Sequence, residues 1–427
     1  MNKKIERVLL WNPLSNHGHL NMYLELYAES LIQLGYEVFY YADLDSAFEA
    51  YLQNELPKLK SVEEVVPTKR LRRWTFSWLI YVGRNLLLRA IKSALFRLKR
   101  MLFKNTKGHS FVEFDVLTRK LKILKDSDFV PDLVICMYLD MTRLTNLSKR
   151  ELSKFKIPWI GLLFHPEPLV NATRFPRESG FENSSNVGGI FFTDKYLAMY
   201  HSLARPNQLF RVFPDVTKAR PLPEIDLPRA FSDQVKGRPV VGLIGALDGH
   251  KKLIKEFLEI SKHPLMSEFY FVLAGEVYES SLETDVLQEV RRLSGSIQEN
   301  LYIYDNYIES ELQYDSFVNA VDILFACYKD FDSSANILAK SAIFRKPVLV
   351  KSETWIGNLV ESFNLGKAVS VLSIDNLLKA IISISKELNS SPSNFGFKDY
   401  EFHVSQENLR RQLGNYLEEL STKKEVL

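Results

Sequence analysis

Short apolar runs alternate along this chain with stretches of helical spacing, and glycine and proline punctuate them. Val8 to Trp11 suits a buried parallel strand, because a strand covered on both faces reads as an unbroken apolar run. Asn12 to His19 is a polar turn containing Pro13 and Gly18. Leu20, Leu24, Tyr27, Ala28 and Leu31 then recur at helical spacing, Gly35 ends that helix, and Glu37 to Ala42 predicts a second strand. Strand, helix and strand in that order make a βαβ unit, from which doubly wound sheets are built. Leu133 to Tyr138, Trp159 to Phe164 and Gly189 to Thr193 are further strand candidates, each after a breaker or a polar stretch.

The pattern lapses between Pro214 and Pro239, where Pro221, Pro223 and Pro228 also fall, and then restarts. A proline-rich stretch without apolar period is expected of an inter-domain linker. Beyond it, strands are predicted at Val240 to Ile244, Phe269 to Ala274, Leu301 to Tyr304, Ile323 to Cys327 and Val348 to Val350. Helices are predicted at Leu253 to Ser261, Leu312 to Ala320 and Ile337 to Phe344, and a polar amphipathic helix at Val404 to Leu420. The chain is therefore expected to be α/β, with two Rossmann-like doubly wound domains.

Composition agrees with two domains. A chain of 427 residues is too long for one ordinary core. Its 46% hydrophobic and 25% charged residues are those of a soluble globular protein, not of a disordered, collagen-like or multi-spanning membrane chain. Cys136 and Cys327 are the two cysteines. They exclude a disulfide framework, argue against structural zinc, and read as buried free thiols of a reducing compartment. The first apolar run stops at Asn12-Pro13, and the longer ones are broken by basic residues. Neither a secretory signal nor a membrane span of about 20 apolar residues is expected, which makes the cytoplasm the default.

Charge changes the picture once it is resolved along the chain. The 55 Lys+Arg and 52 Asp+Glu leave a formal net charge of +3. Residues 69–107 hold twelve of those basic residues and no acid, so the rest of the chain carries 43 against 52, a net −9. Trp74, Phe76, Trp78 and Tyr81 open this stretch, and Leu87, Ile91, Leu95, Leu98 and Leu102 keep to one side of a helix. A basic helix with an aromatic-led apolar face suits an anionic membrane surface, where each basic residue adds about 1 kcal/mol. The alternative is a helix packed on the first sheet with its charges in water. A nucleic acid partner is not expected, since no recognised motif accompanies the charge.

Four motifs carry candidate chemistry. The turn Pro13 to Met22 contains His17, Gly18 and His19 at the carboxyl end of the first strand, the ligand-binding edge of such a sheet. A histidine there is either a general base toward a sugar hydroxyl or a helix-capping side chain. His165, in the run Gly161 to Glu167, ends another strand of the same sheet and is the second candidate catalytic histidine. Gly242 to Lys252 repeats the strand-to-helix turn in the second half, and Gly245, Lys251 and Lys252 suit a pyrophosphate. Phe325 to Asn336 brings Asp332, Ser333, Ser334 and Asn336 to a helix start, as hydrogen-bonding groups for a sugar or as simple caps.

Together these motifs resemble the GT-B glycosyltransferases, and most closely the retaining family 4 of that class. The opening from Gly18 to Val38 is similar to that family's glycine loop and helix, closing on Leu34-Gly35-Tyr36-Glu37-Val38. Gly245 to Lys252 resembles its donor-phosphate loop, with Lys251 in the lysine position. Ala274-Gly275, Ala320-Val321-Asp322 and Lys346-Pro347-Val348 match further short runs, although Arg345 stands where the family has glycine. Where the family has two glutamates separated by seven residues, this chain has Asp332 and Lys340. Ala246 stands near the position of a usual arginine, and Asn358 replaces another glutamate.

The resemblance implies a GT-B fold with a cleft between an acceptor domain over residues 1–215 and a nucleotide-sugar domain over 216–399. Residues 400–427 would form a helix returning to the first domain. It implies transfer of a sugar from a nucleotide-sugar to a glycan or lipid-linked acceptor, with no cofactor and no metal. His19, His165 and Asp332 would be catalytic, with His17 and Gly18 in the acceptor-side loop. Gly245, Lys251, Lys252, Ser333, Ser334, Asn336 and Lys340 would bind the donor. Gly18-His19 also resembles the inverting family 1, where Asp140 would orient His19 as a base. A non-catalytic scaffold of the same fold is the reading from another class.

The membrane assignment has a direct test. Flotation with anionic liposomes is expected to fall by at least several-fold when Arg97, Lys99 and Arg100 are changed to glutamine. Unchanged flotation refutes a membrane role for this stretch.

Overall fold

The computed structural model describes residues 5–12, 20–42, 44, 46–62, 121, 124, 129–139, 157–164, 187–193, 195–204, 209–218, 235–250, 252–294, 298–329 and 336–422. The basic stretch 69–107 lies outside them. In chain order the first sheet and its helices are β1 (Arg7–Asn12), α1 (Leu20–Gln33), β2 (Glu37–Ala42), α2 (Ser46–Glu55), β3 (Lys60–Ser61), β4 (Leu133–Cys136), β5 (Trp159–Leu163), β6 (Val187–Phe192), α3 (Lys195–Ala204) and β7 (Leu209–Val212). The second group begins with β8 (Val240–Ile244), α4 (Ile254–Ser261), β9 (Tyr270–Ala274), α5 (Thr284–Leu293), β10 (Leu301–Tyr304), α6 (Glu311–Ala320) and β11 (Ile323–Phe325). It continues with α7 (Ile337–Phe344), β12 (Val348–Lys351), α8 (Trp355–Phe363), β13 (Gly366–Val369), α9 (Ile374–Ser390) and α10 (Phe397–His403), and α11 (Gln406–Thr422) follows.

Two parallel sheets result. The first runs β3-β2-β1-β4-β5-β6-β7 and the second β10-β9-β8-β11-β12-β13. Register shows why the sequence reads as unbroken apolar runs. Leu9 pairs with Phe39 on one side and Val134 on the other. Because side chains alternate, Val8 and Leu10 face one layer while Leu9 and Trp11 face the opposite one. Helices cover both faces, so a polar residue on either side of these strands would be buried. The edge strands β3, β7 and β13 were not predicted and have weaker patterns: Lys60-Ser61, Leu209-Phe-Arg-Val and Gly366-Lys-Ala-Val carry charged residues. An edge strand is covered less completely and tolerates them.

The last helix belongs to the first core. Leu409, Leu413, Tyr416, Leu417 and Leu420 are buried in the same cluster as Leu24, Tyr27, Ala28 and Leu31 of α1. Their spacing puts them on one face of α11. Arg211 of β7 pairs with Glu419, and Arg410 donates to Gln33. The segment that leaves β7 is held to α1 as well. Tyr23 donates to the buried carboxylate of Asp215, and Lys218 Nζ lies 2.8 Å from the buried Glu25, which also accepts from Tyr51 at 2.8 Å.

Both free cysteines are buried. Burial pushes the Cys136 thiol up to about 12 and Cys327 also upward, so both stay neutral and unreactive at physiological pH. No helix among the described residues is long and apolar enough to cross a membrane.

Leu417 is fully buried beside an exposed Glu418. Leu417→Ala is expected to cost about 2–5 kcal/mol in denaturant unfolding, through lost burial and the cavity left behind. Glu418→Ala is expected to stay within about 0.5 kcal/mol.

Candidate functional site

Strand order places the site. In each sheet the chain reverses direction of build beside the first strand, at β1/β4 and at β8/β11. Ligands of open α/β sheets bind in the crevice outside the carboxyl ends of the strands at such a switch point. Trp355 Nε1, at the start of α8 beyond β12, donates 3.1 Å to the carbonyl of Thr193 just beyond β6. This bond ties the carboxyl edge of one sheet to that of the other.

The edge of the second sheet is described in most detail. Gly245 follows β8 with φ +92°, and its N–H donates 2.8 Å to Ala274 at the end of β9. Gly275 has φ +142°, and a Cβ there would lie 2.3 Å from the Gly245 carbonyl oxygen. Only glycine allows the two turns to approach this closely. The loop then follows the next turn: Leu247 N–H donates to Glu276, and Tyr278 N–H donates back to Leu247. Asp248 Oδ1 accepts from His250 N–H at 3.0 Å, and Ser281 Oγ accepts from Gly249 N–H at 2.8 Å.

Lysines brace this loop. Lys252 is buried, its ammonium donates 2.7 Å to the Ile244 carbonyl, and its backbone bridges Tyr328. Lys329 Nζ donates 3.2 Å to the Gly249 carbonyl, and Lys351 Nζ donates 3.0 Å to the Lys329 carbonyl. Tyr314 packs beneath Gly245, and burial, reinforced by Tyr328, Glu311 and Asp315, pushes its phenol far above the usual range. It is a neutral wall of the edge. Neither α4 nor α7, the helices following β8 and β11, has a side-chain cap on its first turn. The leading N–H groups and positive dipole end of α4 have no side-chain cap among the described residues and can serve water or an anion. Asn336 Oδ1, at the start of α7, is buried and has no hydrogen-bond partner among the described residues.

Lys340, expected on the donor side, sits differently. It is only 1% exposed, with Nζ 2.7 Å from Asp315 Oδ1 and 3.2 Å from Glu311 Oε2. Asp315 and Glu311 lie one turn apart on α6 and hold the ammonium between the helices. A buried ammonium needs such a partner, and here its charge is committed to α6.

Of the residues singled out in the sequence, Lys252 lies beside Gly245 at the end of β8, Asn336 opens α7 after β11, and Lys340 is turned to α6. His17, Gly18, His19, Asp140, His165, Lys251, Asp332, Ser333 and Ser334 lie outside the described residues. Lys329 and Lys351 escape the sequence reading. Their signal was a lysine just beyond one buried strand and another closing the next, both at the carboxyl edge. Glu311 and Asp315 escape it because their partner is distant in sequence. Among the described residues no group of three or more His, Cys, Asp or Glu is placed to hold a metal ion.

Neither a family model nor a curated protein matches the sequence. Solved structures do match the fold along nearly the whole chain. The UDP-glucose complex of Anabaena Alr3699/HepE has a TM-score of 0.58 at 11% identity, covering 97% of this chain and 99% of that one. An α,α-trehalose-phosphate synthase (UDP-forming) from Burkholderia vietnamiensis has a TM-score of 0.56 at 10% identity over 97% and 100%. A glycosyltransferase from Rickettsia africae has 0.56 at 12% over 98% and 100%. At these identities the likeness is one of fold. The protein has the GT-B architecture of two Rossmann-like domains, as the sequence resemblance implied.

The Lys340 pair yields a stability prediction. Lys340→Met, which strands Asp315 as a buried charge, is expected to cost about 3–5 kcal/mol in denaturant unfolding. Adding Asp315→Leu is expected to recover most of that loss. A single variant as stable as the parent contradicts the buried pair.

Proposed function

We propose that this protein is a nucleotide-sugar-dependent glycosyltransferase. It would move a sugar to a glycan or lipid-linked acceptor, with retention, as the family 4 resemblance implies. The observation that carries the reading is the carboxyl edge at β8/β11, where a glycine turn, the uncapped start of α4 and lysines meet. Such an edge suits a diphosphate, because backbone N–H groups and ammoniums offset its charge. The same fold occurs in proteins solved with UDP-glucose and with UDP. In the transfer, the bond between the sugar and the diphosphate breaks, and the diphosphate leaves with the electron pair. The acceptor hydroxyl forms the new bond, and its proton passes to the oxygen of the leaving diphosphate. Positive groups at the edge stabilise the leaving diphosphate, so fixed electrostatics carries most of the burden. Closure of the two domains excludes water and limits donor hydrolysis.

We place the acceptor over the first domain, against the turn carrying His17, Gly18 and His19 and near His165. Asp332, Ser333, Ser334, Asn336 and Lys251 would hold or act on the donor with Gly245 and Lys252. We further propose a cytoplasmic protein, docked on the inner face of the membrane through residues 69–107, working in cell-surface polysaccharide or glycolipid synthesis. No metal or cofactor enters this scheme.

A non-catalytic scaffold in a polysaccharide assembly complex is the second reading. The commitment of Lys340 to Asp315 and Glu311 favours it, because this residue stands where the family has a donor-side glutamate. Calorimetric titration with UDP and GDP separates the two. Binding of one of them, with turnover of the matching nucleotide-sugar, is the expected result. Folded protein that binds neither sinks the enzyme.

A further inference from the structure

We propose that Lys329, set in place by Lys351, is a diphosphate-binding residue of the second domain. The inference rests on the donor-site reading above and adds to it a cation that neither the resemblance nor the motifs assign. In the glycine loop from Gly245 to Lys252, residues 245–250 carry no lysine or arginine, and the loop's own cations, Lys251 and Lys252, come at its end. The first part of the loop therefore has to draw its charge from a neighbouring segment. Lys252 closes the loop, but its ammonium is turned back to the end of β8, 2.7 Å from the Ile244 carbonyl. Lys329 reaches the loop from the other side of the switch point, where its Nζ donates 3.2 Å to the Gly249 carbonyl.

That carbonyl belongs to the turn just before α4, the helix with an uncapped start. Lys329 thus places its charge beside the N–H groups that an anion would use. An ammonium has three donors, and Gly249 takes one. No carboxylate among the described residues forms an ion pair with Lys329 or Lys351, in contrast to Lys340, whose charge two acids hold. Partly exposed lysines held by carbonyls keep their full positive charge available to an incoming anion.

Position is fixed at two further points. The backbone bridge between Lys252 and Tyr328 locks the residue before Lys329 to the loop. Lys351, the last residue of β12, donates 3.0 Å to the Lys329 carbonyl and holds its backbone from the other side. Three adjacent strands, β8, β11 and β12, therefore share the work of holding one ammonium against one loop. The class of ligand is a diphosphate, free or esterified to a nucleoside.

The test is calorimetry on the full chain with inorganic pyrophosphate, UDP, GDP and uridine. Lys329→Gln is expected to weaken pyrophosphate at least tenfold, and the preferred nucleoside diphosphate by a similar factor. Uridine binding, where the parent shows it, is expected to stay within twofold. Lys329→Arg is expected to restore most of the diphosphate affinity, and Lys351→Gln to give a smaller loss. Thermal melts of each variant report whether the fold is intact. Diphosphate affinity unchanged in folded Lys329→Gln overturns the assignment, whatever the nucleotides do, and so does an equal loss of uridine and diphosphate. A parent that binds pyrophosphate through Lys329 but no nucleotide supports the assignment and sinks the nucleotide-sugar reading instead.

Discussion

Parallel pairing is the constraint on which this protein is built. A parallel sheet needs a crossover between successive strands, the crossovers place helices on both faces, and the strands can then expose neither side to water. The alternation of Val8 and Leu10 against Leu9 and Trp11 into separate layers is a direct result. So is the position of the site. When the strands of a sheet run the same way, their carboxyl ends share one edge, and the loops that follow them are brought together however distant they are in sequence. Gly245, Gly275, Lys329 and Lys351 follow or close four different strands and meet for that reason.

Charge is handled in two opposite ways within that edge. Lys340 is sealed between helices with acids around it, where it contributes to the fold and only at high cost could be turned outward. Lys329 and Lys351 are held instead by backbone carbonyls, of Gly249 in the glycine loop and of Lys329 beyond β11. A carbonyl is a dipole and leaves the ammonium's net charge in place, whereas a carboxylate cancels it. The distinction decides which lysines can serve an anion.

Much of the fold was legible in the sequence, and the reason is again the parallel sheet. Runs such as Val8 to Trp11 and Val240 to Ile244 are buried on both faces and declare themselves without any partner being known. Edge strands such as Gly366-Lys-Ala-Val do not, because their burial depends on a neighbour the sequence does not show. The candidate site divides in the same way. Gly245 and Lys252 were visible because they occur in one local turn. The role of Lys340 was not, since its environment is set by Glu311 and Asp315 on another helix. Lys329 was passed over for the same reason: its value comes from Gly249, a loop away.

The first domain depends on α11 for part of its core, yet the whole second domain lies between β7 and that helix in the chain. During synthesis the amino-terminal sheet is complete in strands long before its last covering helix exists. At about 5–20 residues per second, translating the intervening domain takes on the order of ten seconds or more. For that interval the apolar face of α1 awaits Leu409 to Leu420 and is exposed to aggregation until they arrive.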